Sequence, residues 1–231
     1  MKNDKNTMAC HTTPRLDALL KILQNSKSVA DIGCDHAYLS ILLARADENK
    51  KIIGADIKEG PLNRARENVE RFGLSGRIEL RLGDGLSPLK SGEVDTIVIA
   101  GMGALVISGI LNEGAAIAKK ADRLVLQPMS SAHELREFLY KNGYIIENEH
   151  LVREERRIYT IIVAKSGDAG EFTLGDCYVS PALRKSGDTL YKEYLLKQKA
   201  IIENALCGMK NAKRSIDKQI YEKLVCELDK F

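Results

Sequence analysis

Two carboxylates, Asp31 and Asp35, flank a single glycine, Gly33, in the segment VADIGCDHAYLSILLA, residues Val29 to Ala44. A strand-like apolar run enters this turn and a helix-like apolar run leaves it, the arrangement in which a GxGxxG loop cradles a pyrophosphate. Overlaying that fingerprint on Gly33 puts Asp35 at the second glycine and Tyr38 at the third. At about 4 Å and an effective dielectric near 20, each carboxylate would repel a phosphate charge by roughly 4 kcal/mol, and would attract a cation as strongly. The turn therefore disfavours a pyrophosphate and suits an adenosine cofactor that carries a sulfonium, an ammonium and no phosphate, such as S-adenosylmethionine.

Further candidates follow at strand ends. Asp56 lies 23 residues beyond Gly33, where a doubly wound fold places the carboxylate that bonds a ribose, and Ile57 is its neighbour. Gly83, Asp84 and Gly85 read either as an ordinary turn or as a small-Asp-small loop that meets an adenine ring. In AGMGA, Ala100 to Ala104, Gly101 and Met102 read either as a tight strand-to-helix turn or as the substrate side of the pocket. Asp35, at the mouth of the first loop, is the catalytic candidate, whereas Asp31, at the end of a buried strand, is expected to hold loop amides or a cofactor ammonium. His36 is a base, a substrate contact or a structural residue, and Arg15 either a solvated helix arginine or a catalytic helper reaching a substrate phosphate. Cys34 has no evident activating base and reads as a packing residue.

The elements that must position these residues follow from hydrophobic periodicity. SVADI, KIIGADI, IELRLGD, VDTIVIAG and ADRLVLQP read as strands, and YLSILLARA, PLNRARENVERFG, residues 104 to 118, and SAHELREFLYKNG as helices. Gly73 is the expected C-cap of the second of these helices, and Ser131 with Glu134 has capping-box spacing. This alternation predicts a doubly wound α/β sheet. YIIENEHLVREERRIYTIIVAK reads as two strands without an intervening helix, which makes the last strand antiparallel. Beyond a turn-rich link the chain turns helical. Leu195, Ile202, Met209 and Ile216 recur every seven residues but the intervening positions are weak, and a turn at Gly208 to Asn211 would make an antiparallel helical hairpin. The expected organisation is a catalytic domain over residues 1–165, a linker over 166–183 and a helical extension over 184–231.

A chain of 231 residues with 44% hydrophobic content can bury a substantial core. It has no apolar run approaching a membrane span and no secretory leader, so it reads as cytoplasmic. Five cysteines without CxxC spacing imply neither disulfides nor a metal site. The formal charge is only +3, yet residues 184–231 hold eleven Lys and Arg against seven Asp and Glu, so the positive excess lies in the extension. That excess is a solvated helix face or a surface for nucleic-acid phosphates.

Together, DIGCDHAYL, the GADI strand end, GDGL, IAGMG, and LQP followed by HELREFLYKNGY resemble the bacterial TrmK-type tRNA (adenine(22)-N1)-methyltransferases over nearly the whole chain. Cys34 and Ala104 depart from the family pattern. The resemblance implies a Rossmann-like class I methyltransferase with a seven-stranded sheet and a coiled-coil-like C-terminal extension. It also implies S-adenosylmethionine as cofactor, tRNA as partner, no metal or membrane, and a monomer or weak homodimer. Carried over residue by residue, it makes Asp31, Gly33, Asp35, His36, Asp56, Ile57, Asp84, Gly85, Gly101 and Met102 pocket residues, Asp35 the catalytic carboxylate and Arg15 its helper. A small-molecule methyltransferase, an NAD oxidoreductase and a non-catalytic tRNA-binding protein remain as alternatives.

Overall fold

The computed structural model describes residues 12–209 and 215–231. Helix α1 (Pro14–Leu23) precedes β1 (Ser28–Ile32), and α2 (Tyr38–Ala46), β2 (Lys51–Asp56), α3 (Glu59–Arg71), β3 (Ile78–Leu82) and β4 (Thr96–Met102) follow. Next come α4 (Ala104–Glu113), α5 (Ala115–Ala118), β5 (Arg123–Pro128), α6 (Ala132–Lys141), β6 (Tyr144–Glu154) and β7 (Arg157–Ser166). The chain continues with α7 (Leu174–Tyr178), α8 (Pro181–Lys185), α9 (Tyr191–Met209) and α10 (Ser215–Leu228). The strands form one seven-stranded sheet in the order β3-β2-β1-β4-β5-β7-β6. β1 pairs parallel with β2 and β4, β2 pairs parallel with β3, and β6 and β7 are antiparallel, as the hairpin in the sequence predicts.

Two compact units divide the chain: one runs to Ala100 and includes Ile110–Val125, and the other comprises Gly101–Gly109 and Leu126–Phe231. In the first, the runs that read as continuous apolar strands are covered on both faces. Val29, Ala30, Ile53, Ile97, Val98 and Ile99 are fully buried beneath helical residues such as Leu23, Ile41 and Leu62. Each leucine or isoleucine buried this way contributes roughly 1.5–3 kcal/mol. Helix α1 starts at Pro14 behind an N-cap, Thr13, whose hydroxyl accepts from the Leu16 amide. Helix α3 ends in a left-handed Gly73, whose amide bonds Glu70 O while Leu74 N bonds Val69 O, as a C-terminal glycine should.

In the second unit, Leu151 on β6 shares a core with Val179, Leu183, Tyr194, Leu195, Ile202, Leu224 and Leu228. Helices α9 and α10 pack antiparallel: Tyr191 Oη donates to Phe231 O at 3.4 Å, and Lys199 pairs with Asp229 at 2.9 Å. The expected turn at Gly208 to Asn211 reaches outside the described residues, as does Cys10; α9 itself continues to Met209.

Three local expectations are corrected. The helix expected over 104–118 is broken at Gly114, where a Cβ would stand 2.7 Å from Leu86 Cβ, so the close approach of that side chain requires glycine at the break. Ser131 does not cap α6: its backbone is left-handed, φ +54°, its side chain makes no cap bond, and its carbonyl accepts from Glu134 N instead. The segment read as a turn-rich link holds α7 and α8, and the capping box lies there, between Thr173 and Asp176. Among the described residues no helix is long and apolar enough to cross a membrane.

Candidate functional site

The first loop is built by strain tolerated at strand ends. β1 stops at Gly33, whose φ of +72° turns the chain; the Gly33 and Cys34 amides both donate to Ala55 O, at 2.8 and 3.1 Å. Asp35 and Ala37 also take left-handed backbone, φ +42° and +56°. Non-glycine residues pay for such conformations with local strain, which concentrates where surrounding structure over-determines the loop. Here Asp56 Oδ2 accepts from Asp35 N at 3.3 Å, its Oδ1 accepts from Lys58 N at 2.9 Å, and Asn68 Nδ2 donates to His36 O at 3.0 Å.

A cavity of about 170 Å3 opens at this loop, lined by Leu16 and Leu19 of α1, the β1 end and loop from Asp31 to Tyr38, Leu39, and Ala100 of β4. Among the described residues its wall has two carboxylates, Asp31 and Asp35, and no lysine or arginine. The two acids differ in character. Asp31 is buried, accepts from Ser40 Oγ at 2.8 Å, and has its pKa pushed up to about 6 by burial, against the opposing Ser40 hydrogen bonds. Asp35 is 54% exposed at its side chain, 3.3 Å from Arg64 Nη2 and 3.6 Å from His36 Nε2. His36 also stacks on Tyr38, with ring centroids 5.5 Å apart. Burial, and next the Asp31 charge, push the Cys34 thiol well up, so it remains protonated as a packing residue should.

The structure brings Asp31, Gly33, Asp35 and His36 together around one cavity and ties Asp56 to their loop. Of the loop amides, Asp35 N is held by Asp56, and Gly33 N and Cys34 N by Ala55 O. From α1 the cavity takes Leu16 and Leu19, whereas Arg15 is half-buried and outside the lining. Ile57 is 56% exposed just past β2, and Asp84 is exposed past β3, beside Gly85 at φ +50°. Gly83 N donates to Asp56 O at 3.0 Å, which links those two strand ends.

Ala100 is followed in the chain by Gly101, φ +77°, whose amide donates to Gln127 Oε1 at 3.1 Å, while Met129 N donates to Met102 O at 2.8 Å. Gln127 is almost wholly buried, and its amide also donates to Pro128 O. Three supporting residues escaped the sequence reading: Arg64, Ser40 and Gln127. The last two carry a signal, a polar side chain inside an apolar run, YLSILLA and LVLQP. Arg64, on a helix face rich in charge, carries none.

Residues 12–162 match the family model for a methyltransferase domain. A 154-residue stretch is 39% identical to the Bacillus subtilis (strain 168) tRNA (adenine(22)-N(1))-methyltransferase, covering 67% of this chain and 65% of that relative, so the aligned stretch spans slightly under two thirds of its length. The fold is similar to the crystal structure of the B. subtilis m1A22 tRNA methyltransferase TrmK, with TM-score 0.83, 31% identity, and coverage of 96% of this chain and 99% of that one. It is also similar to M. capricolum TrmK in complex with S-adenosyl-homocysteine, with TM-score 0.76, 29% identity and coverage of 95% and 96%.

Proposed function

We propose that this chain, which belongs to the TrmK family of tRNA methyltransferases, transfers the methyl group of S-adenosylmethionine to N1 of adenine 22 in the D-arm of tRNA. The observation that carries this reading is the cavity at the β1 loop, whose wall, among the described residues, offers the carboxylates of Asp31 and Asp35 to a cation and no lysine or arginine to a phosphate. Asp31 would hold the cationic side of the cofactor, Asp56 its ribose hydroxyls, and Ile57 with Asp84 and Gly85 its adenine. Gly101 and Met102 follow on the substrate side. When bound, S-adenosylmethionine supplies an electrophilic methyl group on a positively charged sulfur for the adenine N1 lone pair. The protein's share is alignment and charge: Asp35 accepts a hydrogen bond from the exocyclic amine and offsets the positive charge that methylation places on the ring. N1 lies on the Watson–Crick edge, so the adenine must be unpaired or flipped to react.

Residues 1–165 would carry the transfer, 166–183 join the parts, and 184–231 contact tRNA phosphates through their basic excess. The protein would work as a monomer or weak homodimer in the cytoplasm. The direct test incubates it with labelled S-adenosylmethionine and unmodified bacterial tRNA, then locates the methylated nucleoside by mass spectrometry. N1-methyladenosine at position 22 is the expected product. Label elsewhere in the tRNA would overturn the position, and cofactor binding without transfer would move the acceptor to a small molecule.

Asp31 gives the site a pH dependence. Because burial favours its neutral form, its ionisation costs folding stability above pH 6, and that cost is relieved as pH falls from about 6 towards 4. Cofactor affinity runs the other way, since only the carboxylate attracts a cation. The Kd for S-adenosylmethionine, measured by calorimetry, is expected to rise by up to about tenfold per pH unit below 6. Asp31→Asn should bind weakly at every pH with a flattened profile, and a flat profile in the unmodified protein would detach Asp31 from the cation.

A further inference from the structure

Four of the chain's eight tyrosines line one cavity in the second unit: Tyr159 on β7, Tyr178 at the end of α7, Tyr194 on α9 and Tyr221 on α10. His133, near the start of α6, adds a fifth ring and Gln198 an amide. The cavity holds about 330 Å3, within the range of small-molecule sites, and among the described residues no Asp, Glu, Lys or Arg lines it. Two of its walls are already set. His133 and Tyr178 stack with centroids 4.5 Å apart and planes 13° from parallel, and the Tyr194 hydroxyl accepts from Arg136 Nη2 at 2.9 Å.

Such a lining offers no charged side chain to pair with a phosphate, a carboxylate or a metal ion. It suits a neutral, planar heterocycle with a hydrogen-bonding edge: rings to stack on and an amide with both donor and acceptor. Two of the contributing helices, α9 and α10, lie in the stretch that carries the chain's basic excess, so a polyanion is the partner its charge favours. We propose that this cavity receives an unpaired nucleobase of the RNA substrate, stacked on its ring walls and read along its edge by Gln198. The inference rests on tRNA being the substrate, and it adds a base-holding site that selects RNAs by an exposed base. Stacking of unpaired bases on tyrosine and histidine is the usual currency of single-strand RNA recognition.

Two variants test it: Ala205→Trp, which fills the cavity from α9, and Tyr221→Ala, which removes a ring. Each is expected to weaken tRNA binding, read by fluorescence anisotropy at fixed salt, by about tenfold or more and to raise KM for tRNA similarly, with the S-adenosylmethionine Kd unchanged. Unchanged tRNA affinity in an Ala205→Trp protein that keeps the parent's Tm and cofactor Kd would overturn the inference. Should both variants misfold, ultraviolet cross-linking of the unmodified protein to tRNA decides: a nucleotide attached to the peptide of Tyr159 or Tyr221 supports the site, and attachment only elsewhere rejects it. If the unmodified protein neither binds nor methylates tRNA, the functional reading falls and this inference with it. Methylation by that protein alongside unaffected variants removes the cavity alone.

Discussion

Replacing Asp35 by Asn is expected to lower kcat for tRNA methylation by about a hundredfold or more while leaving the Kd for S-adenosylmethionine within about threefold. The asymmetry follows from where the two acids of the first loop sit. Both line the cavity, but Asp31 is buried and fixed by Ser40, whereas Asp35 is half exposed and, among the described residues, its carboxylate lies near the side chains of Arg64 and His36. An ion pair between two such exposed groups contributes roughly 0–1 kcal/mol, so a substrate amine can displace Arg64 at little cost. Asparagine is the informative substitution because the backbone at this position is left-handed, φ +42°, which asparagine tolerates and alanine resists. Single-turnover rates and calorimetric cofactor binding on the same preparation separate the effects. A parallel loss in both would make Asp35 a cofactor ligand rather than the group that answers charge on the adenine.

How far this site was legible depended on whether its residues announce themselves locally. The strands did, because SVADI, IIGAD and TIVIA are apolar runs covered on both faces, and a run that ends in Asp or Gly marks the edge where ligands are held. Asp31, Asp35 and Asp56 could be picked out for that reason. The contacts that fix them could not, since these run across 21 to 29 residues: Asp56 to the Asp35 amide, and Arg64 to the Asp35 carboxylate. Ser131 shows a different limit. The Ser-x-x-Glu spacing is a sound helix-start signal, yet the chain leaving β5 enters α6 through a left-handed residue, and tertiary geometry outweighed the cap. Thr173 and Asp176 do form the box, in a segment whose helices are five residues long and leave almost no periodic pattern. In the second unit, Arg136 and Glu149 lie in an expected helix, HELREFLYK, and an expected strand, YIIENEH, where nothing local marks these two charges as the fully buried ones.

That buried pair leads to the largest expected effect on stability. Arg136→Met should lower the free energy of unfolding by about 3–5 kcal/mol in urea titrations. The guanidinium is a hub: Nε reaches both Glu149 carboxylate oxygens at 3.1 and 3.2 Å, Nη1 donates to Cys177 O and Tyr178 O at 2.8 and 2.9 Å, and Nη2 donates to Tyr194 Oη. Burial opposes its charge, but Glu149 and Tyr194 together more than offset that and hold its pKa above the ordinary arginine value. One residue of α6 thus joins β6, α7 and α9, and Ser180 Oγ completes the network by donating to Glu149. Removing the cation leaves the buried Glu149 carboxylate without its countercharge and takes a donor from the Cys177 and Tyr178 carbonyls. The double variant Arg136→Met with Glu149→Leu should be more stable than Arg136→Met alone, because no uncompensated charge remains. Equal losses in the single and double variants would mean that the carbonyl contacts, rather than the ion pair, carry the energy. The same network decides how the extension must be tested. Ending the chain before residue 184 would take away Tyr194 and uncover Leu151, Val179 and Leu183, so a deletion would report on folding as much as on tRNA. Charge reversal at exposed lysines such as Lys185 and Lys192 leaves that core intact, and a lower salt dependence of tRNA binding in those variants would then measure the extension's phosphate contacts directly.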